Sequence, residues 1–170
     1  MNCTLCNKKA VILNPSYCKK HFIDDFEKKV KKTIKRFDLF KKDEKILVAT
    51  SGGKDSLTVI YILKKLGYGV KGLLIDEGIK NYREYTIKDM EEFSKKYDID
   101  FMIKSFKEEY SSTLDDITKK TKLNPCHVCG IFRRQLLNKY SKEFDAIATG
   151  HNLDDEAQSI LSNVLKAQTN

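Results

Sequence analysis

No run of about 18 apolar residues occurs anywhere in the 170-residue chain, so nothing in it reads as a membrane span. The opening Met1-Asn2-Cys3-Thr4-Leu5-Cys6 lacks the basic-then-apolar pattern of a secretion signal, which makes a cytoplasmic location the expectation. In that reducing compartment, paired cysteines read as metal or redox sites rather than structural disulfides. Internal repeats and low-complexity tracts are missing, so one folded domain with a small appendage is expected from the length. Acids are missing altogether from residues 119–142, which hold seven Lys or Arg.

Charge is present in quantity but unevenly spread. The formal net charge is +8, and residues 19–45 alone carry eleven Lys or Arg against six acids. Residues 143–170 are net acidic. A concentrated basic face draws in polyanions through counterion release, which points to nucleic acid; a generally lysine-rich surface is the competing explanation.

Apolar spacing supplies the organisation. Phe22, Phe26, Val30, Ile34 and Phe37 recur at helical intervals, predicting a basic amphipathic helix over 22–40. From residue 45 strands alternate with helices. Strands are expected at 46–50, 70–75, 101–103 and 146–149, and helices at 56–66, 82–97, 127–141 and 154–165. Residues 107–117 read as helix and 118–125 as loop. This alternation predicts a parallel, three-layer α/β sheet. The expected divisions are a metal module at 1–21, a linker helix at 22–44 and an α/β domain at 45–170.

The turn Ser51-Gly52-Gly53-Lys54-Asp55-Ser56 follows the first strand. Two glycines let backbone approach a phosphate, the hydroxyls of Ser51 and Ser56 can donate to it, and Lys54 offsets its charge. Asp55 suits a magnesium ion shared with phosphates. The glycine and lysine spacing is neither GxxxxGK[ST] nor GxGxxG. Ligands of open α/β sheets bind beyond the carboxyl ends of strands. Two further segments end strands there: LLIDEGI at 73–79, where Leu74 and Ile75 would flank a base, and ATGHNLDDEAQ at 148–158. In the second, Gly150 permits close approach, while Asp154, Asp155 and Glu156 either cap a helix or hold magnesium.

The five cysteines form two groups. Cys3, Cys6, Cys18 and His21, in a CxxC…CxxH spacing, suit tetrahedral Zn²⁺, and so small a module needs metal to fold. Cys126 and Cys129 open a predicted helix near Lys122, Arg133 and Arg134, a setting expected to favour thiolate. A second zinc site, a redox or persulfide pair, and an iron–sulfur cluster lacking at least one further cysteine all remain open for them.

SGGKDS resembles the PP-loop of the ATP pyrophosphatases, which split ATP between the α- and β-phosphates. The ordered set CxxC…CxxH, SGGKDS, PCxxCGxxRR and GHNLDDEAQ resembles the tRNA 2-thiouridine synthetases, and most closely their archaeal and eukaryotic cytosolic branch, related to the bacterial TtuA and TtcA enzymes. The resemblance implies a Rossmann-like parallel sheet with helices on both faces, of the adenine nucleotide α hydrolase kind. It implies ATP and Mg²⁺ at Ala49, Ser51, Gly52, Gly53, Lys54, Asp55, Ser56, Leu74, Ile75, Gly150 and Asp155. It implies a [4Fe-4S] cluster on Cys126 and Cys129, with a third cysteine in a segment beyond residue 170, so that the chain is expected to be the N-terminal portion of a longer protein.

The expected reaction adenylates the C2 oxygen of a uridine and replaces it with sulfur. Cys126 and Cys129 would present sulfur, Lys54 or Arg133 would offset developing charge, and Asp155 would move a proton or hold metal. Partners expected on the same ground are tRNA and a sulfur donor (sulfide, a persulfide or a ubiquitin-like sulfur carrier), with a homodimer allowed and no membrane involved. Uridine 34, uridine 54 and a cytidine all stay open as targets. Another PP-loop adenylating enzyme and a non-catalytic zinc-finger RNA-binding module are the alternatives. The first lacks a reason for PCxxC, and the second leaves SGGKDS and GHNLDDEAQ unexplained.

Overall fold

Apolar strand runs bounded by glycine turns build a four-stranded parallel sheet. The computed structural model describes residues 1–80, 82–121 and 123–165. The chain divides into two compact units, residues 1–41 and the remainder from Lys42.

The first unit has two short antiparallel strands, β1 (Ile12–Leu13) and β2 (Ser16–Tyr17), and helix α1 (Lys19–Phe37). The helix starts three residues earlier than the apolar spacing predicts, because Cys18 serves as its N-cap and His21 lies in its first turn. It stops at Asp38, which takes a left-handed conformation with φ of 46°.

The second unit runs β3 (Lys45–Thr50), α2 (Lys54–Lys65), β4 (Gly69–Asp76), α3 (Glu84–Tyr97), β5 (Asp100–Ser105), α4 (Phe106–Tyr110), α5 (Leu114–Lys120), α6 (Pro125–Tyr140), β6 (Ala146–Thr149) and α7 (Leu153–Leu165). The sheet order is β5-β4-β3-β6, all parallel. With right-handed crossovers, α2 and α3 fall on one face, and the return through α6 to β6 covers the other. The predicted α/β architecture is thus the observed one. The expected single helix over 107–117 is instead α4 and α5, broken at Ser111 (φ 53°), and α5 runs on into the predicted loop. Two capping boxes explain the break: Ser105 with Glu108 starts α4, and Thr113 with Asp116 starts α5.

Strand alternation sorts the core. Leu47, Leu73 and Ile75 meet Phe106, Leu114, Val128 and Leu136 in one buried cluster. Each such side chain contributes about 1.5–3 kcal/mol by leaving water. Phe106 sets its ring edgewise against both Tyr110 and Phe132. Gly72 on β4 lies opposite Phe101 on β5, and a methyl group there would stand 2.1 Å from the ring.

Gly72→Ala is therefore expected to lower unfolding free energy by about 1–3 kcal/mol through overpacking. Urea denaturation reads this directly, and an unchanged midpoint would contradict the packing described.

Candidate functional site

The carboxyl ends of β3, β4 and β6 surround a cavity of about 320 Å³. Ser51, Gly53, Asp55 and Ser56 form one side; Leu73 and Ile75 form the apolar floor. Gly130, Arg133, Arg134 and Leu137 of α6 stand opposite, and Thr149, Gly150 and His151 close the rim.

The glycine-rich turn is held by its own hydroxyls. Ser56 Oγ donates to the Gly53 carbonyl at 3.0 Å and accepts from the Ser51 amide at 3.2 Å. Ser51 Oγ accepts from the Gly53 amide at 3.3 Å. Gly52 has φ of 80°, and a Cβ there would stand 2.1 Å from Thr86 Cγ2, so glycine is required. Gly53 is the N-cap of α2, and no side chain caps the helix. Its first-turn amides therefore bring their partial positive charge to the cavity edge, which suits an anion. Gly150 passes so close that a Cβ would lie 2.7 Å from the Ser56 amide nitrogen.

A buried ion pair braces the turn from behind. Arg83 donates from Nε to Glu77 Oε2 and from Nη2 to Oε1, both at 2.8 Å. Its Nη1 donates to the Ser51 carbonyl, also at 2.8 Å. Burial works against the Arg83 charge, but Glu77 outweighs it and raises the guanidinium pKa further. Arg133 Nε reaches the same Glu77 carboxylate at 3.5 Å.

Helix α6 also carries the second cysteine pair. Asn124 caps it by accepting from the Cys126 amide at 2.9 Å, and Pro125 occupies the first turn. Cys126 is exposed and Cys129 half-buried. Burial pushes the Cys129 thiol up, Glu77 adds to that, and Arg133 and Arg83 only partly offset it. The expectation that nearby arginines favour thiolate thus fails at Cys129, because desolvation and a buried carboxylate oppose them. Lys122, named in the same expectation, lies outside the described residues.

In the first unit, Cys3, Cys6, Cys18 and His21 place one ligand atom each within 4.8 Å of one another. Cys6 Sγ lies 3.7 Å from Cys18 Sγ, Cys18 Sγ lies 3.6 Å from His21 Nδ1, and Cys3 Sγ lies 3.1 Å from His21 Nδ1. Tetrahedral zinc with bonds of about 2.0–2.3 Å needs edges of roughly 3.5–3.8 Å; two of these three edges match that, and three thiols with one imidazole are the donor chemistry such an ion takes. Burial works against the Cys3 thiolate, yet the His21 ring and backbone groups of Cys18, Leu5 and Cys6 bring the thiol down to about 6. The Lys8 backbone favours the Cys6 thiolate, but burial and the neighbouring Cys18 and Cys3 sulfurs raise its pKa overall.

Residues 23–169 match the family described as the PP-loop domain. The chain belongs to the PP-loop family. It is 42% identical to the tRNA-5-methyluridine(54) 2-sulfurtransferase of Pyrococcus horikoshii, covering 99% of this chain and 56% of that protein. It is 38% identical to cytoplasmic tRNA 2-thiolation protein 1 of Drosophila erecta, covering 99% and 53%. The solved U34-tRNA thiolase NcsA of Methanococcus maripaludis, described with its [4Fe-4S] cluster, superposes with a TM-score of 0.86 at 35% identity, covering 99% of this chain and 59% of that one. An NH3-dependent NAD synthetase from Campylobacter jejuni shares the fold at a TM-score of 0.59 and 18% identity, over 76% of this chain and 56% of that one. The chain spans a little over half the length of the thiolation relatives.

Within the PP-loop site, Ala49, Ser51, Gly53, Asp55, Ser56, Ile75, Arg133 and Gly150 line the cavity. Lys54 is exposed at the first position of α2, and Gly52 sits behind the turn against Thr86; neither lines the cavity. Leu74 is fully buried, and its neighbours Leu73 and Ile75 form the floor instead, because strand residues two apart share a face. Asp155 is exposed and accepts from the Asn152 amide at 2.9 Å, while Asn152 Oδ1 accepts from the Asp154 and Asp155 amides. That is the capping arrangement, and Asp155 is not part of the wall. The sequence pattern does not mark Glu77 and Arg83, because the strand-end segment shows an acid without showing its partner.

Cys3→Ser is expected to strip the metal from the first unit, taking zinc from about one ion per chain towards zero by elemental analysis and lowering that unit's melting transition. Full zinc retention would show that these four residues are not a metal site.

Proposed function

We propose that this chain is the nucleotide-binding part of an ATP-dependent tRNA thiolase. The carrying observation is that α6 both lines the PP-loop cavity through Gly130, Arg133 and Arg134 and bears Cys126 and Cys129 near its start. Nucleotide and sulfur chemistry therefore share one helix. The names of the thiolation relatives support the same reading.

In this reading the triphosphate lies on the α2 amides with Ser51 and Ser56 beside it, and the base lies against Leu73 and Ile75. Asp55, the carboxylate of the cavity wall, shares Mg²⁺ with the phosphates. Uridine O2 attacks the α-phosphorus and pyrophosphate leaves, its charge offset by Arg133. A sulfur nucleophile then adds at C2, and AMP departs with the original oxygen, leaving the thiocarbonyl. Cys126 and Cys129 supply two of the thiolates that a [4Fe-4S] cluster takes, so residues 1–170 account for only part of its ligand set. When bound, such a cluster supplies an iron at which sulfur is held. Sulfide, or the thiocarboxylate of a ubiquitin-like carrier, would deliver that sulfur at the sulfide level; a persulfide would do so with a second thiol, which forms a disulfide with the donor cysteine as sulfide is released. The acid-free stretch 119–142 and basic α1 would hold the tRNA backbone. A cytoplasmic setting suits five free thiols.

Asp55→Ala in the full-length protein is expected to cut tRNA-dependent pyrophosphate release by about 100-fold or more, with an unchanged thermal melt. Undiminished release would remove the PP-loop from the reaction. Cys126→Ala should leave ATP binding and pyrophosphate release intact while abolishing 2-thiouridine, measured by nucleoside mass spectrometry. An unchanged thiouridine yield would take Cys126 out of sulfur delivery, and no ATP binding by the unsubstituted protein would favour an RNA-binding module.

A further inference from the structure

Glu77, immediately after β4, is only 2% exposed, yet two arginines converge on its carboxylate. Arg83 engages both carboxylate oxygens and Arg133 Nε approaches Oε1 at 3.5 Å. The Arg83 pair is already bidentate and complete, so charge compensation for a buried carboxylate does not require the second arginine. The two guanidiniums point to different functional parts. Arg83 turns its remaining nitrogen, Nη1, to the carbonyl of Ser51, the first residue of the PP-loop. Arg133 stands in the cavity wall one helical turn beyond Cys129 and is 42% exposed. One carboxylate with two guanidiniums leaves a surplus positive charge, and the more exposed arginine presents it to the cavity.

We propose that Glu77 is a positioning residue that sets both arginines of the nucleotide cavity, holding Arg133 at the wall and, through Arg83, fixing the Ser51 carbonyl of the loop. This assignment rests on the reading of the cavity as the ATP site. Glu77 touches no substrate; it acts by denying Arg133 other rotamers. A small displacement of a charge-bearing group costs rate out of proportion to its distance.

The test uses full-length protein carrying Glu77→Gln, Arg133→Gln or both, with ATP affinity measured by equilibrium dialysis and kcat by tRNA-dependent pyrophosphate release. Glu77→Gln is expected to lower kcat about ten- to 100-fold, with a smaller change in ATP Kd. The double variant should be slower than Arg133→Gln alone, through the Arg83 arm, but should lose less than the product of the two single losses, because both changes remove the shared Glu77–Arg133 contact. Losses that multiply, or an unchanged kcat in Glu77→Gln, overturn the assignment. Should Glu77→Gln fail to fold, Glu77→Asp keeps the charge and withdraws it from Arg133 by one methylene; an intermediate kcat is expected, and full kcat overturns the proposal. Failure of the unsubstituted protein to bind ATP at all would instead overturn the nucleotide reading on which the assignment rests.

Discussion

Two backbones meet at the mouth of the cavity with no space for a side chain between them. Gly150, just past β6, lies where a Cβ would come within 2.7 Å of the Ser56 amide at the start of α2. That approach joins two strand ends into one wall, and the turn between β3 and α2 must follow it. The hydroxyls of Ser51 and Ser56 hold the turn's own shape, and Arg83 anchors its first carbonyl. Anion-seeking amides, apolar floor and arginine-bearing helix are thereby brought around a single volume. The sheet fixes these positions by register: Thr50 aligns with Leu74 and Ala49 with Thr149.

Much of this was legible in the residues. Short apolar runs between glycine turns located all four sheet strands within a residue or two, because buried parallel strands carry a continuous apolar signature. The glycine-rich turn was legible for another reason: its geometry is local, written into six consecutive residues. The cysteine-histidine quartet was equally local. Non-local pairing was not legible. Leu74 was expected in place of Leu73 because period two gives alternation but not which face meets the site. Asp155 could be read as cap or as ligand, and the Asn152 amide decides its hydrogen bonding. The Cys129 thiol is raised first by burial and then by Glu77, 52 positions earlier, and neither is visible in a helix-start motif.

The two units solve different physical problems. From Lys42 on, a sheet and its helices bury enough apolar surface for a core of its own. Among the described residues of the first unit the buried apolar side chains are Cys3, Cys18 and Ile34, and two of those three belong to the candidate metal-ligand set. Its order is therefore expected to depend on an ion, whereas that of the larger unit depends on packing.

Helix α6 also behaves as a ruler. At 1.5 Å per residue, Cys129 stands about 6 Å along the axis from Arg133, and Cys126 about 10 Å. Those intervals are rigid, unlike the reach of a loop. On the thiolase reading, the C2 carbonyl, whose oxygen takes AMP and whose carbon then takes sulfur, must be delivered between two points whose separation the helix backbone fixes. A nucleobase stacked inside a helix has no such freedom of placement. On that reading the spacing along α6 would select substrates by how far a base can swing out of its strand, before any hydrogen bond reads which base it is.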